Sequence, residues 1–439
     1  MENGLYQLIE KRRHGIPAGI ASFCTAHPLV IEACMEQTLR YGGNLLIEAT
    51  ANQVNQFGGY TGMRPADFRD LVFSIADKVH FPRHKIILGG DHLGPLVWKH
   101  LPESEAMAYA SELVRLFVSA GYQKIHLDTS MRLADDPLDQ PLSDETIARR
   151  GALLFQACDD AFARLCQDHP DACPPVFIIG SEVPIPGGAQ ISEDEDTVTI
   201  TRPDALLHTV EAYREAFAQI GLGQKCSQII GVVVQPGVEF GDDSIHLYDR
   251  AAARALTQAA TQLPEVVLEG HSTDYQPASL LREMVEDGVA ILKVGPALTF
   301  SLREGLFALS HIEREMIPDS QQAHFIEALE KSMVSAPENW IHHYSGNQLQ
   351  LRLKRRYSYS DRCRYYLSHP DLQSAVKTLF QNLEAVDIPM GLLHQYLPAQ
   401  YYKVRDGRLP CRPLALIKDC VAELIEDYQY ATLPHTRSR

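Results

Sequence analysis

Eight short apolar runs punctuate the first three hundred residues: GIASFC, NLLIEAT, KIILGGDH, KIHLDTS, VFIIGSEVP, IIGVVVQPG, EVVLEGHSTD and AILKVGPALT. Each ends in polar or glycine-bearing positions. They start about 25 to 55 residues apart, and stretches of helical period lie between them, such as PADFRDLVFSIADKV and ESEAMAYASELVRLFVSAG. Eight strand–helix units predict a closed parallel (β/α)8 TIM barrel. An open doubly wound sheet uses the same units, but its first turn usually carries a glycine fingerprint, and here TAHP follows GIASFC. VFII and GVVV are continuous rather than alternating, as strands covered on both faces are.

After residue 312 the strand rhythm stops. The segment LALIKDCVAELIEDY places Leu414, Ile417, Val421, Leu424, Ile425 and Tyr428 on one helix face, with Pro413 in its first turn. The expected organisation is a barrel over residues 1–312 and a helical region over 313–439 packed on it.

Composition narrows the function classes. A net charge of -16 disfavours nucleic acid and anionic membrane surfaces, so phosphate must be held by a local site. Nine cysteines without a CxxC pair, among them Cys158 and Cys420 on apolar helix faces, predict reduced thiols and no disulfide framework. The opening MENGLYQLIEKRRHG lacks a secretion signal, and no stretch reaches the roughly 20 apolar residues of a spanning helix. A cytoplasmic location is expected.

In a barrel of this kind the strand C-termini build the site. The residues there are His27; Glu48 and Asn52; Asp91 and His92; His126, Asp128 and Ser130; Glu182; Gln235 and Glu239; Glu269, His271, Ser272 and Asp274; and Lys293 before Gly295. So many carboxylates and imidazoles require ion pairing, a metal or catalysis. His92, Glu182, Glu269 and His271 form a candidate mixed N/O site for zinc or a similar divalent cation. Asp91, Asp128 and Glu182 are the candidate acid/base groups. Glu48, Asn52, His126, Gln235, Ser272, Asp274 and Lys293 are candidate substrate contacts. For phosphate there are two candidates: the helix start after the eighth strand, with Gly295 and Thr299, and the glycine pair Gly187 and Gly188 in PIPGGAQ. RLKRRYSYSDRCRYY interleaves six basic residues with four tyrosines, suited to internal ion pairs, a subunit interface or a substrate phosphate.

The phrases LIEATANQVNQFGGYTGMRPADFR, ILGGDHLGP, KIHLDTSM, GSEVPIPGGA, VVVQPGVEF, HSTDYQ, ILKVGPALTF and YSYSDRCRYY resemble the GatZ/KbaZ family over nearly the whole chain. The resemblance implies an oligomeric, class II aldolase-like barrel that supports a GatY/KbaY catalytic subunit, full activity and stability of which depend on it. That complex cleaves tagatose 1,6-bisphosphate to glycerone phosphate and glyceraldehyde 3-phosphate, in galactitol or N-acetylgalactosamine breakdown. Asp91 and His92 match the Asp-His pair of class II aldolases. VQPG around Gln235 and EGHS around Glu269, with His271 displaced by two, depart from the later histidine positions, so little cleavage by the single chain is expected. The alternative is a metal-dependent ketohexose 4-epimerase working by retro-aldol cleavage and re-addition. A third reading, tagatose-6-phosphate kinase, lacks support from any Walker A or GAGD motif, and no nucleotide is expected.

Overall fold

The computed structural model describes residues 3–183 and 198–433. The strands are β1 (Ile20–Cys24), β2 (Leu45–Thr50), β3 (Ile86–Leu93), β4 (Lys124–Leu127), β5 (Val176–Ile179), β6 (Ile229–Val234), β7 (Glu239–Phe240), β8 (Ile245–His246), β9 (Val267–Gly270) and β10 (Val289–Val294). Eight of them close a parallel barrel in the order β1-β2-β3-β4-β5-β6-β9-β10, while β7 and β8 form a separate antiparallel ribbon. Closure occurs at β1, where Ser22 is level with Leu46 on one side and Lys293 on the other.

Alternation along each strand sorts side chains into two layers. Leu45, Ile47 and Ala49 of β2, Ile125 and Leu127 of β4, and Leu292 and Val294 of β10 join the large core beneath the outer helices. Leu46, Ile87, Val176, Ile178, Ile230, Val267 and Ile291 fill the barrel interior with Leu5, Leu8 and Ile9 from the helix Tyr6–Arg13. Further along the same inward rows the apolar residues give way to Glu48, Lys124, Glu269 and Lys293, all buried. Gly89 makes the room, since a Cβ there would stand 2.5 Å from Glu48 Oε1.

The helix Pro296–Met316 runs across residue 312, and residues on both sides of that position share one apolar core. The helix Pro413–Thr432 packs against β1 and the helices Pro28–Tyr41, Ala278–Glu286 and Pro296–Met316. Its buried face differs from the expected one: Leu414 is exposed and Leu416 is buried. Several helical neighbours widen the covered arc beyond a single stripe.

The segment Ser358–Tyr366 is drawn over the barrel mouth. Asp361, fully buried, accepts from Arg303 Nε at 2.8 Å and from Thr299 Oγ1 at 2.7 Å. Tyr359 N donates to Asp242 O at 2.8 Å, and Tyr275 Oη donates to Tyr359 O at 2.6 Å. All nine cysteines are free thiols. No helix among the described residues is long and apolar enough to cross a membrane.

Candidate active site

Three imidazoles meet where β3, β4 and β9 end. The ring centroids of His92, His126 and His271 are 5.0, 4.9 and 5.1 Å apart in pairs. Each ring sets one nitrogen against a buried carboxylate. His92 Nδ1 lies 2.8 Å from Asp128 Oδ2, His126 Nδ1 lies 2.9 Å from Asp91 Oδ1, and His271 Nε2 lies 2.9 Å from Glu269 Oε1. A ring nitrogen that donates to a carboxylate leaves the other with a lone pair. Those remaining atoms are where the structure leaves polar groups unsatisfied, since His126 Nε2 and His271 Nδ1 are buried without a hydrogen-bond partner.

With Asp91, these three histidines can present ligand atoms that all lie within 4.8 Å of one another. Imidazoles set against buried carboxylates, with ligand atoms this close together and two ring nitrogens left without a partner, fit a divalent cation. Burial lowers the His271 imidazole to about 3, assisted by the Lys293 ammonium, so it stays neutral and able to ligate. The backbone is bent to suit: His92 and Ser272 take left-handed φ of 46° and 53°, conformations that cost of order 1–3 kcal/mol each and cluster at functional sites.

Behind the imidazoles lies an ionic layer. Lys124 Nζ is 2.7 Å from Glu48 Oε1 and 2.8 Å from Glu269 Oε2. Lys293 Nζ is 2.8 Å from Glu48 Oε2, 3.7 Å from Glu269 Oε1, and paired with Asp91. Burial opposes charge on Lys293, but Asp91, Glu48 and Glu269 hold its ammonium well above the usual range. Burial likewise opposes charge on Asp91, which His92, Lys293 and His126 nevertheless keep well below the usual carboxylate range.

The site residues expected from sequence fall into groups. Asn52, Asp91, His92, His271, Ser272, Asp274, Lys293, Gly295 and Thr299 line one cavity of about 330 Å³. Glu48 and Glu269 lie beneath it, so Glu269, expected as a ligand, instead positions His271 and neutralises Lys124. Asp128, expected as an acid/base group, is turned away: it accepts from His92 and from Ser130 Oγ at 2.7 Å. His126, expected to touch substrate, is the third imidazole. Glu182, expected as ligand and acid/base, is exposed just beyond β5 and outside this cluster. Gln235 shapes its own turn, accepting from Gly237 N at 2.9 Å and Val238 N at 3.0 Å. Gly187 and Gly188 lie outside the described residues.

The helix start at Gly295, expected to hold phosphate, is filled from within. Asp274 Oδ1 accepts from Gly295 N at 3.0 Å and Ala297 N at 2.8 Å. Burial pushes this carboxyl up to about 6, against the pull of those two amides. His27, expected at the first strand end, also lines the cavity, and beyond the expected set so do Gln53 and Tyr60, and Arg364, Tyr365 and Gln373 of the C-terminal region. His27 Nδ1 is buried without a partner, and burial lowers its imidazole to about 4. For Arg364 and Tyr365 the legible signal was the basic, tyrosine-rich stretch in an acidic chain.

Comparison with known proteins shows what the chain as a whole resembles. A crystal structure of a probable tagatose 6 phosphate kinase from Sinorhizobium meliloti 1021 is 44% identical, with 94% of this chain and 100% of that one covered and a TM-score of 0.85. More distant likenesses, which carry no functional weight, are the YdjI aldolase from Escherichia coli K12 (14% identity, 84% and 96% covered, TM-score 0.40) and a fructose-bisphosphate aldolase from Campylobacter jejuni (12%, 88% and 95%, TM-score 0.41). The pattern that defines the D-tagatose-1,6-bisphosphate aldolase subunit GatZ/KbaZ-like family matches residues 5–433, and the chain belongs to that family.

Proposed function

We propose that this chain holds a divalent cation on His92, His126 and His271 and carries out aldol-type chemistry on a phosphorylated ketohexose. The observation that carries the reading is a cluster of three imidazoles, each set against a buried carboxylate, with ligand atoms within 4.8 Å of one another, beside a cavity that His92 and His271 line. A bound cation would polarise the sugar carbonyl. Two carboxyl groups of separated proton affinity line the same cavity. Asp91 is held ionised by Lys293 and its imidazole neighbours, whereas Asp274, at about 6, exchanges a proton near neutral pH. In a retro-aldol step one carboxylate accepts the C4 hydroxyl proton, the C3–C4 bond breaks, and its electron pair moves toward the carbonyl oxygen. Return of the proton after re-addition to the other aldehyde face inverts C4, which is the epimerase outcome; escape of the aldehyde is cleavage.

The test combines metal analysis of the purified chain with assays on D-tagatose 6-phosphate and tagatose 1,6-bisphosphate. Expected are about one divalent ion per chain, C4 epimerisation that a chelator removes and the metal restores, and little cleavage of the bisphosphate by the single chain. Absence of stoichiometric metal under every divalent supplement overturns the reading.

A second role, for which the word subunit in the family description is the support, is to assist a GatY/KbaY-type catalytic subunit, with the cytoplasm as the proposed location. Preferential binding to the native partner would raise that partner's thermal midpoint on mixing; an unchanged midpoint at saturation removes this role. The likeness to a probable tagatose 6 phosphate kinase from Sinorhizobium meliloti offers a kinase as a third reading, for which ATP turnover with tagatose 6-phosphate is the check.

A further inference from the structure

The helix terminus that such barrels commonly offer to phosphate is occupied here by Asp274, so an anionic substrate must be met elsewhere. The C-terminal region brings to the cavity wall an arginine, Arg364, that has no carboxylate ion pair among the described residues. Arg362 and Arg364 flank Tyr365, their guanidinium carbons 5.1 and 4.6 Å from its ring centroid. Both are held by backbone: Arg364 Nη1 donates to Asp361 O at 3.0 Å and to Ser360 O, and Arg362 Nε donates to Asn339 O. Arg364 Nη2 also donates to Tyr365 Oη at 3.1 Å.

Among the described residues neither guanidinium is ion-paired with a carboxylate. Asp361, whose carboxylate acts on Arg364, is itself hydrogen-bonded by Arg303 and Thr299. Two adjacent cations without a counter-ion are costly away from water. Burial lowers Arg362, and Arg364 beside it adds to the effect. Burial should raise the Tyr365 phenol, yet Arg364 and Arg362 bring it below its ordinary value. Burial opposes charge on Arg364 as well, but Tyr365, Tyr60 and Asp361 hold its guanidinium above the usual range, so it stays a cation at the cavity wall.

We propose that Arg364, with Tyr365 and Tyr60 beside it, forms the subsite that receives the terminal phosphate of the sugar, so that the C-terminal region confers preference for phosphorylated ketohexoses. Arg364, Tyr365 and Tyr60 line the same cavity as His92 and His271, with Asn52 and Gln53 available to sugar hydroxyls. Tyr60 and Tyr365 meet edge to face at 4.6 Å, closing the loop after β2 onto the C-terminal segment. The proposal rests on the sugar-phosphate reading but not on the cation, which allows the two to fail separately.

The experiment is calorimetric titration of the full chain with D-tagatose 6-phosphate, D-tagatose and inorganic phosphate, with the metal present and after chelation. The wild type should bind the ester more than about tenfold tighter than the free sugar, as one charge-assisted pair requires. Arg364→Gln should abolish that preference, bringing the affinities for ester and free sugar together. Because Arg364 also holds two backbone carbonyls, Arg364→Lys serves as the second variant; it should keep an intermediate preference at an unchanged thermal midpoint. Inorganic phosphate should bind the chelated wild type and not the chelated Arg364→Gln. A phosphate preference that survives in a folded Arg364→Gln overturns the subsite. Loss of phosphate binding in that variant, in a protein that never takes up metal, upholds the subsite and removes only the cation.

Discussion

Glu269 joins two systems that are usually separate, an imidazole that can meet a metal and an ammonium buried in the barrel. Glu269→Gln should therefore lower metal affinity by roughly 10–100-fold through His271. It should also cost about 3–5 kcal/mol, because Lys124 and Lys293 lose a counter-ion where no water can replace it. Metal titration and urea unfolding measure the two losses independently. His126→Gln should remove the metal outright while the barrel remains folded by circular dichroism. Asp274 has the opposite relation to stability. Its folded carboxyl is raised to about 6 from an ordinary value near 4, so ionisation costs little below about pH 4 and progressively more as pH rises to 6, after which the penalty is constant. Asp274→Asn keeps an oxygen for the Gly295 and Ala297 amides and loses the charge. The variant should be more stable than wild type at pH 8, indistinguishable near pH 4, and inactive; greater wild-type stability at pH 8 in urea melts would refute the assignment. At this scale Asp91, His92 and His271 were legible because strand-end position and residue type agree. The third imidazole was not: His126 reads as one more polar strand-end residue until Asp91 is seen holding its other nitrogen.

Strand, turn and helix each constrain the site in a different way. The turn after β3 passes so close to β4 that a Cβ on Gly94 would lie 1.7 Å from Asp128 O. Gly94→Ala should cost about 3 kcal/mol or more, and by displacing Asp128 from His92 it should weaken metal binding as well; a normal urea midpoint with normal metal content would show that the turn has slack. All eight barrel strands were legible because each apolar run is bounded by turn residues. The two-residue β7 and β8 are too short to carry a period, and their ribbon becomes visible only through contacts such as Asp242 with Tyr359. The C-terminal helix was legible as a helix, whereas its buried face was misjudged at Leu414 because the number of neighbours cannot be read from one stripe.

On the scale of the molecule, the barrel and the C-terminal region are one packing unit. Tyr428, buried on the last described helix, donates to Thr273 O at 2.8 Å, one residue from Ser272 and from Asp274 in the site itself. A chain cut after residue 312 would end inside the helix Pro296–Met316 and leave β1 uncovered, so it should be insoluble or unfolded when expressed alone. Because a cation that binds only the folded chain stabilises it by mass action, zinc at about a hundredfold excess over its dissociation constant should add about 2.7 kcal/mol. Differential scanning calorimetry should show the rise in wild type and none in His126→Gln.

The same closure by a late helix bears on how the protein is made. Glu32, on the first helix after β1, is paired with Lys418, 386 residues further along the chain. At common elongation rates the ribosome needs about 20–80 s to travel between them. Until the end of that interval β1 and its neighbours lack the cover of this last helix, although the imidazole-bearing strands are made well before it. Nascent chains stalled shortly before residue 413 should therefore recruit holdase chaperones, and those stalled long enough after 432 to free that helix should release them.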